Sequence, residues 1–293
     1  MSFSSHYISL LDREIHLTDW AAQGRGADAP VVVAWHGLAR TGRDMDELAQ
    51  DLSAHGYRVV CPDMLGRGLS QWSPAPDTEY CLAFYARLAE ALFDRLGLSS
   101  VHWVGTSMGG AIGIVCAGGQ VAPSMKSRIR SLVLNDIAPE LQASAIERIR
   151  SYAGKPPTFD TVLELEGFFR QVYTPYGWLS DAQWRRLTET STRRLPDGRV
   201  TPHYDPAMVQ QFIVHPNDYS IWDDYDQIEA PVLFLRGESS DLVSTATRDA
   251  MRQRGPGARG HLQCLEIAGC GHAPALNVPA HLDPIRDFIR RAT

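Results

Sequence analysis

The sequence predicts an α/β fold: a mostly parallel central sheet, helices on both of its faces, and an inserted helical segment. Two patterns lead there. Short β-branched runs bounded by glycine and proline alternate with longer stretches of three-and-four apolar spacing, which is how buried parallel strands and their crossover helices read. This alternation stops after Pro139 and resumes near Pro231, so a separate unit interrupts the sheet-forming chain.

Taken in order, YISL and EIHL, joined through Leu11 to Arg13, predict an antiparallel edge hairpin. Buried strands follow at Val31 to Trp35, Tyr57 to Cys61, Val101 to Gly105 and Ser131 to Asn135. Between them, residues 43–55, 80–96 and 108–120 have helical periodicity; Leu82, Tyr85, Leu88, Ala89, Leu92 and Leu96 share one face. Residues 139–226 carry helical patterns at 143–152, 162–172, 181–193 and 206–215 but no buried-strand run. Trp178, Trp184 and Trp222 gather there with Tyr173, Tyr176, Tyr204 and Tyr219, as in a cover packed over an apolar pocket. Strands resume in PVLFLRG at 231–237 and HLQCLEIAG at 261–269, with helices at 245–254 and 280–291. The expected organisation is a core of residues 1–138 and 227–293 and a helical cap of residues 139–226.

Composition narrows the function classes. Apolar residues make up 44% and charged residues 21%, typical of a folded globular chain rather than a disordered or fibrous one. The net charge of −6 and the lack of a basic run make nucleic acid an unexpected partner. Five scattered cysteines with no C-x-x-C pair point away from a disulfide framework and a structural zinc site. No apolar run approaches the roughly 18 residues a membrane span needs, and Asp12, Arg13 and Glu14 interrupt what would be a secretory segment. A cytoplasmic location is expected.

The sharpest local signal is VGTSMGG, where Gly105, Ser107 and Gly109 form G-x-S-x-G between a predicted strand and a predicted helix. A turn this tight strains its central residue, needs small neighbours two positions away, and holds the serine hydroxyl out above the strand ends. A serine is a weak nucleophile unless a histidine takes its proton and a carboxylate orients that histidine. ESSDLV follows the resumed strand and puts Asp241 at a strand's carboxyl end, where catalytic groups of open α/β sheets collect. AGCGHAP presents His272 after the next strand. The candidates run Ser107, Asp241, His272 in chain order.

These motifs together resemble the α/β-hydrolase fold family, in its lid-bearing class. WHGLART at 35–41 is similar to the family's oxyanion loop, CPDMLGRGLS at 61–70 to its D-x-x-G-x-G-x-S turn, GTSMG to its nucleophile elbow, GESSDLV to its acid loop and GCGH to its histidine loop. The resemblance implies Ser107 as nucleophile, His272 as general base and then acid, and Asp241 as the group that fixes the imidazole tautomer. It also implies Asp136, after the strand ending at Asn135, as the alternative acid, because some members place theirs there. Backbone N–H groups of Leu38 and Met108 would hold the oxyanion, with His36 and Gly37 shaping the loop. No metal and no organic cofactor is expected.

Serine at the elbow disfavours dehalogenase and epoxide-hydrolase chemistry, whose relatives of this fold use aspartate there. The expected reaction is hydrolysis of a small carboxylic ester or lactone through an acyl-enzyme. A carbon-carbon bond hydrolase, an aminopeptidase using Glu164 and Glu166 for the substrate amine, and a non-catalytic receptor of the same fold stay open as alternatives. Cys270 reads as a space-filling thiol. Lid aromatics suggest an uncharged or monoanionic, moderately apolar substrate. Monomer and homodimer are both compatible with the chain.

Overall fold

The computed structural model describes residues 3–292. Ten strands occur among them: β1 (Phe3–Leu10), β2 (Arg13–Trp20), β3 (Val31–Trp35), β4 (Arg58–Pro62), β5 (Val101–Thr106), β6 (Ile129–Asn135), β7 (Thr192–Arg194), β8 (Val200–Pro202), β9 (Val232–Gly237) and β10 (Leu262–Ile267). Eight form one sheet in the order β1-β2-β4-β3-β5-β6-β9-β10. Neighbours from β4 to β10 pair in parallel, while β2 runs antiparallel to both β1 and β4. The chain is an α/β-hydrolase fold with a mostly parallel sheet flanked by helices.

Why this sheet is buried on both faces follows from its side-chain period of two. Val33 and Trp35 of β3 join the cluster that contains Leu88, Leu92 and Ile112, from helices Leu82–Leu96 and Met108–Gly118. Val32 and Ala34 face the opposite cluster, with Leu48 and Leu52 of helix Asp46–Ala54 and Ile285 and Ile289 of helix Pro279–Ala292. Trp35 and Trp103 stack with centroids 4.9 Å apart, and the Trp103 indole donates to the Gly109 carbonyl at 3.0 Å. That bond ties the sheet to the first turn of helix Met108–Gly118.

Between β6 and β9 the chain leaves the eight-stranded sheet. It holds helices Ala143–Ala153, Val162–Val172 and Asp181–Thr190, and it builds its own small cluster from Leu165, Phe169, Trp184, Leu187 and Val200. The expected helix over 181–193 ends at Thr190, and β7 and β8 form a two-stranded ladder that periodicity did not reveal. Three residues per strand are too few to show alternation. The helix expected over 206–215 is a 3-10 turn at Pro206–Val209 running into Gln210–Val214. Trp178, expected among covering aromatics, is exposed, whereas Trp184, Tyr204 and Tyr219 are buried.

The direction of chain growth decides where the site lies. β3 is followed by β4 on one side and β5 on the other, so the order reverses between β3 and β5. The carboxyl ends of strands at such a reversal leave a crevice. The loops after β3, β5, β6, β9 and β10 carry Leu38, Ser107, Asp136, Asp241 and His272, respectively.

Candidate active site

Ser107 stands at the turn between β5 and helix Met108–Gly118 with φ 51° and ψ −119°. For a non-glycine residue that conformation costs about 1 to 3 kcal/mol, and surrounding structure must hold it. The Ser107 N–H donates to the Asn135 carbonyl at 2.9 Å, while its own carbonyl accepts from the Gly110 and Ala111 N–H groups. The flanking glycines are required by space: a Cβ on Gly105 would collide with the Gly109 carbonyl, and one on Gly109 would sit 2.5 Å from the Trp35 carbonyl oxygen.

His272 and Ser107 meet from opposite sides of the crevice. Nε2 of His272 lies 3.0 Å from Ser107 Oγ, and Nδ1 lies 2.7 Å from Oδ2 of Asp136. Asp136 is fully buried and takes φ 54°. Its Oδ1 accepts the Gly237 N–H at 2.9 Å, and its Oδ2 also accepts the Ser240 hydroxyl at 2.8 Å. Three donors thus converge on one carboxylate. Asn135 couples the two loops, since its amide donates to Thr106 Oγ1 at 3.0 Å and to the Pro274 carbonyl at 2.9 Å.

Asp241 is elsewhere. The expectation that it orients His272 is corrected by its position: its side chain is half exposed and paired with Arg148 of helix Ala143–Ala153. The loop after β9 does contribute to the site, but through Ser240 and Gly237, which hold Asp136. Two aspartates at strand ends compete for one histidine, and the one after β6 reaches it. Asn135 and Ser240 had no motif of their own to reveal them.

The oxyanion loop after β3 is fixed by His36 and Arg67. The Met64 N–H donates to His36 Nε2 at 2.9 Å, so that nitrogen is an acceptor. The remaining proton sits on Nδ1 and is donated to the Gly37 carbonyl at 2.6 Å. Burial also pulls the His36 pKa below its ordinary value. A neutral histidine with both nitrogens committed shapes a loop and moves no proton. Gly37 packs against the serine, a Cβ there falling 3.7 Å from Ser107 Cβ. Leu38 follows directly after that contact, and the Met108 N–H is the first of its helix and has no intrahelical acceptor.

Arg67, from the turn after β4, is fully buried. Nε donates to the Leu38 carbonyl at 2.9 Å, and Nη1 donates to the Leu65 carbonyl and the Tyr85 hydroxyl at 2.7 Å each. Nη2 lies 3.6 Å from Met108 Sδ, and the group sits above the rings of Tyr80 and Tyr85. It forms no ion pair among the described residues. One cation therefore braces both loops that would donate to an oxyanion.

Beside the serine and histidine a cavity opens, lined by Thr106, Ala273, Pro274, Tyr176, Leu179 and Leu187. Arg43, Asp44, Glu47, Gln183, Arg186 and Asn277 share the lining with these largely apolar side chains. Cys270 is buried, 3.6 Å from the Tyr176 carbonyl, and burial pushes its thiol pKa up, which suits a packing role and not a nucleophile. Among the described residues no cluster of histidine, cysteine and carboxylate side chains could hold a metal, and no helix is long and apolar enough to cross a membrane.

Comparison with known proteins gives the chain a lineage. The sequence profile of the α/β hydrolase fold matches residues 30–277. A 3-hydroxybutyrate-oligomer hydrolase of Cupriavidus necator is 36% identical over 277 residues, covering 92% of this chain and 91% of the relative. Esterase YbfF of Escherichia coli is 25% identical over 88% of this chain and 92% of its own. Among solved structures, an α/β hydrolase from Novosphingobium aromaticivorans superposes with a TM-score of 0.84 at 29% identity, covering 99% and 98% of the two chains. With the profile spanning most of its length and a relative above one-third identity, the chain belongs to the α/β hydrolase family.

Proposed function

We propose that this hydrolase cleaves small carboxylic esters by way of an acyl-enzyme on Ser107, with His272 as the base and Asp136 as the group that orients it. One observation carries the reading: His272 lies 3.0 Å from Ser107 Oγ and 2.7 Å from the buried Asp136 carboxylate. Asp136 accepts the hydrogen bond from Nδ1–H and stays ionised, which keeps the ring proton on Nδ1 and leaves Nε2 free to accept the serine proton as Oγ attacks the carbonyl carbon. The Leu38 and Met108 N–H groups receive the negative charge that develops on the carbonyl oxygen, each worth about 10²-fold or more. The imidazolium then protonates the departing alkoxide. Water, deprotonated by the same His272, releases the acid and restores Ser107.

For the substrate class, we infer a short, moderately apolar hydroxyacyl ester, with linear 3-hydroxybutyrate oligomers as the first compounds to try. The support is the 36% identity to a 3-hydroxybutyrate-oligomer hydrolase, together with a cavity whose lining mixes apolar side chains with polar and charged ones, Arg43 and Arg186 among them. Small lactones share the same acyl chemistry. An aminopeptidase reading loses its proposed anchors: Glu164 closes a capping box with Thr161, and Glu166 pairs with Arg170 at 2.7 Å. In this reading residues 139–226 act as a cap whose Tyr176, Leu179 and Leu187 complete the pocket wall. All five thiols are free, which supports a reducing, cytoplasmic setting.

The test is 3-hydroxybutyrate release from its linear dimer and trimer by the native protein and by Ser107→Ala. The expected result is turnover by the native protein and a loss of at least about 10³-fold in kcat for the variant. Undiminished turnover by folded Ser107→Ala would remove the reading.

A further inference from the structure

A second serine, histidine and aspartate are aligned outside the crevice, in the same order of atoms as Ser107, His272 and Asp136. Nε2 of His16 lies 2.7 Å from Ser5 Oγ, and Nδ1 of His16 lies 2.7 Å from Oδ2 of Asp63. The alternation of a strand explains how they meet. In the β1–β2 hairpin Ser5 pairs with Thr18 and Tyr7 with His16, so Ser5, Tyr7, His16 and Thr18 share one face. β4 lies next to β2 and ends beside that face, where its following residue, Asp63, meets His16.

The state of His16 is set by its neighbours. Asp63 is buried, and it accepts the Gly42 N–H at 2.6 Å on Oδ1 and the Leu69 N–H at 3.0 Å on Oδ2. It is therefore an acceptor toward His16, whose Nδ1 carries the proton. With that proton on Nδ1, Nε2 is the nitrogen that faces the Ser5 hydroxyl, and the Tyr7 ring packs against the imidazole at 5.1 Å. Ser5 is exposed, whereas His16 is 3% exposed. The base is thus held rigidly and its serine is open to reagents. Ser5, His16 and Asp63 line a surface cavity of about 300 Å³, opposite Thr190, Thr192 and His203.

We propose that Ser5 is a second nucleophile, activated by His16 and Asp63, that takes acyl or phosphonyl groups from activated esters. In the step, Ser5 Oγ bonds to the carbonyl carbon or phosphorus while its proton passes to His16 Nε2. The bond to the leaving aryloxide or fluoride breaks, and the leaving group or solvent takes that proton. The Thr190 and Thr192 hydroxyls across the cavity already donate to the carbonyls of Arg186 and Thr188. The rate gain is then that of the base alone, so the product is a slowly formed Ser5 adduct.

An internal control lies one residue away. Ser4 Oγ is also 2.7 Å from a histidine nitrogen, Nε2 of His6, but His6 forms no ion pair among the described residues. The experiment exposes Ser107→Ala protein to a fluorophosphonate probe and follows adducts on Ser4, Ser5 and Ser9 over time by peptide mapping. The expected result is labelling of Ser5 at least about tenfold faster than of Ser4 or Ser9, lost in Ser107→Ala/Ser5→Ala and slowed to the Ser4 rate in Ser107→Ala/His16→Gln. Ser5 labelling no faster than Ser4, or unchanged in a folded His16→Gln variant, overturns the proposal. Because Ser107 is absent throughout, neither result bears on the crevice.

Discussion

Exchanging Asp136 for asparagine separates the role of that carboxylate from its mere presence. Its Oδ1 accepts the Gly237 N–H, while Oδ2 receives both His272 Nδ1 and the Ser240 hydroxyl. In Asp136→Asn the amide oxygen can keep the Gly237 bond, and the amide nitrogen replaces Oδ2. That nitrogen donates to His272 Nδ1 and drives the ring proton to Nε2, where it faces Ser107 Oγ at 3.0 Å. The base is then in the wrong tautomer. The expected loss is about 10⁴-fold in kcat, or about 5 kcal/mol of barrier, with a folding cost of about 1 to 3 kcal/mol for the altered hydrogen bond. Asp241→Asn breaks only a half-exposed pair with Arg148, worth at most about 1 kcal/mol, and should leave kcat within about twofold. The assay is kcat and Tm for both variants on one ester. Equal losses in the two, or a folded Asp136→Asn enzyme retaining a tenth of native kcat, would refute the assignment.

Three further outcomes follow from the same geometry. Gly105→Ala places a methyl against the Gly109 carbonyl at the elbow, so the backbone must shift; a shift near 1 Å should lower kcat by about 10²-fold, read with Tm to separate misfolding from misplacement. Arg67→Met removes the brace from Leu38 and Met108 and should lower kcat by about 10 to 100-fold with KM nearly unchanged, and Arg67→Lys should not restore it, because one ammonium cannot span the Leu38, Leu65 and Tyr85 oxygens. Burial pulls the His102 pKa from 6.5 down to about 4, so the native protein resists the proton that the unfolded chain accepts. Stability is complete above pH 6.5 and falls as the pH drops from 6.5 toward 4, by about 3 kcal/mol for this residue; His102→Gln should flatten that decline in a Tm series.

How much of this was legible in the sequence depended on how local each feature is. The β-branched runs at Val31, Val101 and Val232 announced the sheet because strands buried on both faces are uniformly apolar. Ser107 and His272 were readable because each sits in a glycine turn whose shape follows from adjacent residues. The choice between Asp136 and Asp241 was not, because both end a strand and only the packing of two loops decides which carboxylate reaches a histidine more than a hundred residues away from one of them. Arg67 occupied a variable place inside a recognised turn, and its importance comes from what surrounds it in space. The pairing of Ser5 with His16 is a matter of hairpin register, and Asp63 enters only through the neighbouring strand.

The acyl-enzyme is the central claim, and trapping it tests that claim most directly. Native protein mixed with excess p-nitrophenyl butyrate and quenched in acid within the first turnovers should show a burst of p-nitrophenol and one butyryl group, mapped to the peptide containing Ser107 and absent from Ser107→Ala. Steady turnover with no adduct on Ser107, or with the butyryl group on another residue formed at the turnover rate, would contradict the account.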